Sequence, residues 1–174
     1  MIDYREKYTE LLNSILLEIK IKGLLLPAEV GEHQKRVGNY AFDIAHRLGK
    51  PVSFCWCCWF VGNLHDWVED CPIVDKSDAR QRLVKQITEH SGCVGSISDH
   101  EYDISRCLWK LTRKKGEDYA DYMNNILTIS QRTADADRIA FIVKQADYKD
   151  HFAQVETLTP KLMKKYAPFV HYFL

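Results

Sequence analysis

The segment Leu64-His65-Asp66-Trp67-Val68-Glu69-Asp70 sets an imidazole beside a carboxylate and follows them with two further acids. A lone His33 precedes it, and Ala146-Asp147 lies far downstream. On a helix, neighbouring residues differ by about 100° in direction, so an adjacent His and Asp can both turn toward one cation. A second His and a second Asp from other helices would complete a mixed nitrogen/oxygen shell. Such a shell keeps positions open for water and a phosphate oxygen, which suits metal-assisted hydrolysis. The expected ligands are His33, His65, Asp66 and Asp147.

Glu69 lies four residues after His65 and three after Asp66, and Asp70 lies four after Asp66, so all share one helical face. Both acids could serve as general base or acid, or hold the attacking water. Taken alone, they read better as solvated carboxylates at a helix end. The wider setting argues for a cation, because the segment closes the most apolar stretch of the chain and an uncompensated buried charge is costly. Asp147 sits mid-helix beside Ile142, Val143 and Ala146, which predicts at least partial burial. A third segment, Leu111-Thr112-Arg113-Lys114-Lys115-Gly116-Glu117-Asp118-Tyr119-Ala120-Asp121-Tyr122, combines basic residues, a glycine and two tyrosines three apart. Arg113 could bind phosphate through its forked guanidinium, and Tyr119 could stack on a base. A solvated turn with core-facing tyrosines is the plainer alternative. Lys35, Arg36 and Lys144 adjoin ligand positions and are candidate phosphate contacts, or plain surface charge.

These residues must be held by helices. Leu11, Leu12, Ile15, Leu16 and Ile19 repeat at helical spacing within 4–20, and Gly23 ends that helix. A second helix is expected over about 30–48, with Val37, Tyr40, Ala41, Ile44, Ala45 and Leu48 as its apolar stripe. Pro51 then opens a third over about 52–69, apolar nearly all round and therefore central. Ser77 is expected to cap a helix over 78–89, and 91–98 reads as a loop. Helices follow at about 100–112 and 117–130. Thr133 is expected to cap a long helix over about 134–155, and Thr159-Pro160 opens the last one. No segment alternates with a period of two. The fold class is therefore all-α, an irregular helical bundle.

The 174 residues suggest one domain, 1–174, with 46% hydrophobic and 28% charged residues as in ordinary globular chains. Formal net charge is zero, so no global field draws nucleic acid, and an anionic substrate needs a local cluster or a metal. The charged N-terminus has no apolar signal core, and the most apolar run is too short for a bilayer, so no membrane partner is expected and a cytoplasmic location is. Cys55-Trp56-Cys57-Cys58 contains a CxxC spacing, but it stands alone in an apolar run, so buried thiols are expected before a zinc or redox pair. Cys71, Cys93 and Cys107 stand singly. His46, His90, His100 and His171 have no partner motif. No P-loop, dinucleotide fingerprint or nucleophile elbow is present.

The order His33, His65-Asp66, Asp147 resembles the H…HD…D signature of the HD-domain metal-dependent phosphohydrolases, over about 30–151. His65-Asp66-Trp67-Val68-Glu69-Asp70 is also similar to the HDxxED motif of the (p)ppGpp hydrolases of the RelA/SpoT group, including the small stand-alone hydrolases. Lys144-Gln145-Ala146-Asp147 resembles that group's K-x-A-D segment. The residue four after that Asp, usually Asn in the group, is His151 here, and His33 lacks the group's proline-flanked setting. The resemblance implies an HD-type helical domain, a divalent metal, usually manganese, and a Glu69-Asp70 pair serving the water that cleaves a 3′-pyrophosphate. A small-molecule nucleotide is the expected substrate. A nucleoside monophosphate 5′-nucleotidase and a non-catalytic metal- or nucleotide-binding module remain alternatives. The apolar third helix and the tryptophans fit a homo-oligomer interface and a core equally well.

Overall fold

The computed structural model describes residues 3–24, 26–73, 75–91, 98–130, 134–154 and 158–173. The 92–97 part of the expected loop, Cys93, the Thr133 cap and the end of the long helix at Val155 lie outside the described residues. The described chain is all-helical and forms a compact bundle, with no strand among the described residues.

Helix α1, Tyr4–Ile21, starts at Asp3, whose carboxylate accepts the amides of Arg5 and Glu6. It buries Leu11, Leu12, Ile15 and Ile19, the stripe expected from their spacing. Gly23, at φ 67°, lets the chain turn away in the left-handed region. Helix α2, Ala28–Arg47, buries Val37, Ala41 and Ala45. Leu48 is 59% exposed rather than part of that stripe, because it falls beyond the helix end. Helix α3, Val52–Leu64, is central and buries Phe54, Cys55, Cys57, Cys58, Phe60, Val61 and Leu64. Its cysteines, with Cys71 and Cys107, are buried thiols rather than disulfides.

The expected single helix over 52–69 is two. It stops at Leu64, and a short α4 covers Trp67–Asp70. His65 Nδ1 lies 2.8 Å from the Gly62 carbonyl and donates to it. That carbonyl is the one the Asp66 amide would use if the helix continued. His65 and Asp66 sit in a turn, both still in right-handed backbone conformations.

Helix α5, Lys76–Ser91, starts two residues earlier than expected, with Asp75 rather than Ser77 accepting the first free amides, those of Ser77 and Asp78. Helices α6, Ser98–Leu111, and α7, Tyr119–Ser130, flank a turn that needs Gly116 at φ 81°. Asp118 opens α7 by accepting the Ala120 amide. Helix α8, Asp135–Ala153, is long and largely buried. Thr159 caps α9, Pro160–Tyr166, through the Leu162 amide, and a 3-10 turn, Ala167–Tyr172, follows.

Helices α2, α3 and α8 all pack on one another. The α2–α3 crossing is very close. A Cβ on Gly62 would lie 2.8 Å from Gly38 Cα, and one on Gly38 would lie 2.9 Å from the Trp59 carbonyl. Two glycines facing each other let the backbones touch, which brings the start of α2 beside the end of α3. No helix among the described residues is long and apolar enough to cross a membrane.

Candidate metal centre

Three elements deliver the expected ligands. α2 contributes His33 in its first two turns, the α3–α4 turn contributes His65 and Asp66, and the middle of α8 contributes Asp147. Their donor atoms converge. His33 Nε2 lies 3.4 Å from Asp66 Oδ2 and 3.3 Å from Asp147 Oδ1. His65 Nε2 lies 3.1 Å from Asp66 Oδ2 and 3.9 Å from Asp147 Oδ1. Ligand atoms about 2.1 Å from one ion are separated by about 3.0–3.5 Å in tetrahedral or octahedral shells, so three of these four edges fit one ion and the fourth is slightly wide.

The decisive observation is at the imidazoles. Both Nε2 atoms are buried, yet neither makes a hydrogen bond of acceptable geometry. The carboxylate oxygens are near but misaligned for hydrogen bonding, as ligands around a common point are. The other ring nitrogen is fixed in each case. His65 Nδ1 donates to the Gly62 carbonyl, and His33 Nδ1 donates to Asp150 Oδ2 at 2.8 Å. Held in this way, a neutral imidazole presents Nε2 as an acceptor, the usual supporting arrangement for a metal-binding histidine. His33, His65 and Asp66 form one group able to hold a metal ion, and His33, Asp147 and His151 form another that shares His33.

Two of the expected phosphate contacts have other partners. Arg36 grips Asp150 with both ends of its fork, Nε to Oδ1 at 2.7 Å and Nη2 to Oδ2 at 3.0 Å. Lys144 donates to Asp147 Oδ2 at 2.7 Å and is almost wholly buried. Each cation thus steadies a carboxylate of the centre, leaving Asp147 Oδ1 toward the ligand cluster. Lys35 does not line the cleft; it is exposed and pairs with Glu32 at 2.6 Å. Arg113 does line it, with its amide donating to Glu69 Oε2 at 3.2 Å.

The donors open onto a cleft of about 660 Å³ that Asp66, Glu69, Asp70, Arg113, Tyr119 and Lys165 help to line. Both acids after the His-Asp pair are therefore at the cavity wall, although the helix that was to carry them is broken. Tyr122 is core, its hydroxyl donating to the Leu111 carbonyl at 2.8 Å. Tyr119 is half-buried, and Lys165 lies over its ring, 4.4 Å from the centroid, on the surface proposed for base stacking.

Charge at the site is strongly perturbed. Burial depresses the His33 pKa, but the carboxylates of Asp147, Asp150 and Asp66 outweigh it and push it up to about 11. Burial raises the acids, and their cationic neighbours win. Asp147 is held well below the usual range chiefly by Lys144, and Asp66 is lowered by His65 and His33. Asp70 moves the other way. Desolvation at the cleft wall and the nearby charges of Asp66 and Glu69 push it up to about 6.

Comparison with protein-family models, curated proteins and solved structures gives no match to this chain. The site thus stands on its own geometry. The residue reading did not identify Asp150 or Lys165, and it raised His151 only as a departure from a motif. His151 Nε2 lies 3.1 Å from Asp147 Oδ1 and 3.1 Å from the Tyr166 hydroxyl, one turn after Asp147. Helical spacing after Asp147 could have flagged Asp150 and His151. Nothing local marks Lys165.

Proposed function

We propose that the chain is a divalent-metal-dependent phosphohydrolase of the HD-domain type that acts on a nucleotide, with a (p)ppGpp-like 3′-pyrophosphate as the leading substrate. The observation that carries the reading is the pair of buried imidazole Nε2 atoms that make no well-aligned hydrogen bond and face the carboxylates of Asp66 and Asp147 at the wall of a cleft. A cation is the simplest group that satisfies two nitrogen and two oxygen donors together. The mixed donor set suits manganese, as the motif resemblance implies.

His33, His65, Asp66 and Asp147 would hold the ion, with His151 beside them. Once bound, the ion would supply Lewis acidity toward a phosphoryl oxygen and toward the attacking water. The protein's own groups do the rest. Glu69 is oriented by the Arg113 amide and faces the cleft, so it can align the attacking water and take its proton. Asp70, whose carboxyl desolvation at the cleft wall pushes up, can pass that proton on. Asp150 and Lys144 keep the imidazole and carboxylate donors in register.

A binding module without turnover would need neither acid at the cleft. A nucleoside monophosphate would put its one phosphate at the ion and leave Arg113 and Lys165 without an anion. A panel of nucleotides assayed with Mn²⁺ tests the reading. Phosphate or pyrophosphate release from a nucleotide, lost in Asp66→Ala, supports it. Tight nucleotide binding without any product would replace it with the binding-module reading.

A further inference from the structure

The cleft has two poles. The ligand cluster is one. The other is cationic, and Lys165 on α9 is its least explained member. Lys165 is half-buried, with its ammonium 4.4 Å from the Tyr119 ring centroid and 5.0 Å from that of Tyr166. No carboxylate lies within ion-pair distance of it among the described residues, whereas Arg36 and Lys144 are both engaged by acids. Arg113 has only a loose contact, 4.0 Å from its Nε to Glu69 Oε1. Burial, and then the like charges of Lys144 and Arg113, lower the Lys165 pKa. Four cations thus line one cavity, and two of them, Arg113 and Lys165, lack a close counter-ion among the described residues.

Partly burying a lysine beside like charge is unfavourable unless an anion completes the site, and the two aromatic faces offset only part of that cost. The Tyr119 and Tyr166 rings fix the ammonium in the cleft, and a guanidinium with free donors matches phosphate oxygens. Tyr119 is itself held by its hydroxyl, 3.0 Å from that of Tyr148.

We propose that Arg113 and Lys165 form a second phosphate-binding subsite in the metal-centre cleft, gripping a phosphate of the substrate other than the one that reacts. The inference rests on the cleft's being a phosphohydrolase site, and it assigns named residues to the second phosphate that such a substrate carries. Tyr119 and Tyr166 are positioning residues for Lys165 rather than stacking platforms.

The test is titration of the full chain, freed of metal by chelation, with inorganic pyrophosphate and inorganic phosphate, in wild type, Lys165→Met, Lys165→Arg and Arg113→Met. Each lost charge-assisted contact is expected to weaken pyrophosphate binding by about tenfold or more. Lys165→Arg is expected to stay near wild type, and Mn²⁺ binding to be unchanged throughout. Pyrophosphate binding that is absent in wild type, or equally tight in Lys165→Met and Arg113→Met, overturns the subsite. Absence of Mn²⁺ binding in wild type alongside Lys165-dependent pyrophosphate binding removes the metal reading and leaves the subsite standing.

Discussion

Asp150 touches no proposed substrate, yet it ties His33 Nδ1 to the Arg36 fork. Removing its charge weakens the hydrogen bond that holds the His33 ring and makes its Nε2 a poorer ligand. Asp150→Asn is expected to weaken Mn²⁺ binding by about 10–100-fold with the fold intact, measured by calorimetric titration. Unchanged affinity would mean that Asp150 serves only packing. The two acids at the cleft separate chemistry from binding. Glu69→Gln is expected to retain Mn²⁺ and lose about 10²–10⁴ in kcat, the usual range for a positioned base. Asp66→Ala is expected to lose both metal and turnover. A Glu69→Gln variant with wild-type kcat would remove Glu69 from the water-activating role. The clustering of His33, His65, Asp66 and Asp147 was legible in the sequence, because an adjacent His-Asp pair and a mid-helix Asp beside apolar residues call for a common partner. The cations were less so. Arg36 and Lys144 look like phosphate contacts by position, and only tertiary geometry reveals Asp150 and Asp147 as their partners.

At the scale of elements, the α2–α3 crossing sets the distance between the two histidines. Gly38→Ala would drive a methyl group to 2.9 Å from the Trp59 carbonyl and closer still to the Asn63 amide. It is expected to cost about 1–3 kcal/mol, read from urea unfolding, because an overpacked backbone contact cannot relax through a side chain alone. Mn²⁺ affinity should fall with it as α2 and α3 separate. Gly31→Ala is the control: it lies on the same helix and its Cβ meets nothing within 4 Å. It is expected to be neutral or stabilising by up to about 1 kcal/mol from helix propensity. Equal destabilisation by both changes would discard the close-contact argument. Most helices could be read from their apolar spacing and their caps. The break after Leu64 could not, because Trp67 and Val68 resume the apolar pattern directly after His65-Asp66 and no proline marks the stop. The facing of Gly38 and Gly62 was hidden as well, since the pair joins positions remote in sequence.

For the whole molecule, the centre couples stability to protons and metal in opposite senses. With its folded pKa raised from 6.5 to about 11, His33 stabilises the metal-free protein fully below about pH 6.5, and that contribution fades as pH rises toward 11. The depressed pKa values of Asp66, Asp147 and Asp150 act at the acid end, where their stabilisation is lost as pH falls. A metal requires His33 deprotonated, so its affinity must grow with pH and its binding must release protons. Saturation at about 100 times Kd adds about 2.7 kcal/mol. The Mn²⁺-induced rise in Tm is therefore expected to be several degrees and larger at about pH 8.5 than at about pH 6.5; a rise that shrank with pH would contradict the protonation scheme. The most direct test of the whole account is the metal content of the purified chain after Mn²⁺ loading and desalting, for wild type, His65→Ala and Asp147→Ala, with helicity checked by circular dichroism. The account predicts stoichiometric metal in wild type and almost none in either variant. A wild-type chain that retains no metal, or folded variants that retain as much as wild type, would contradict it.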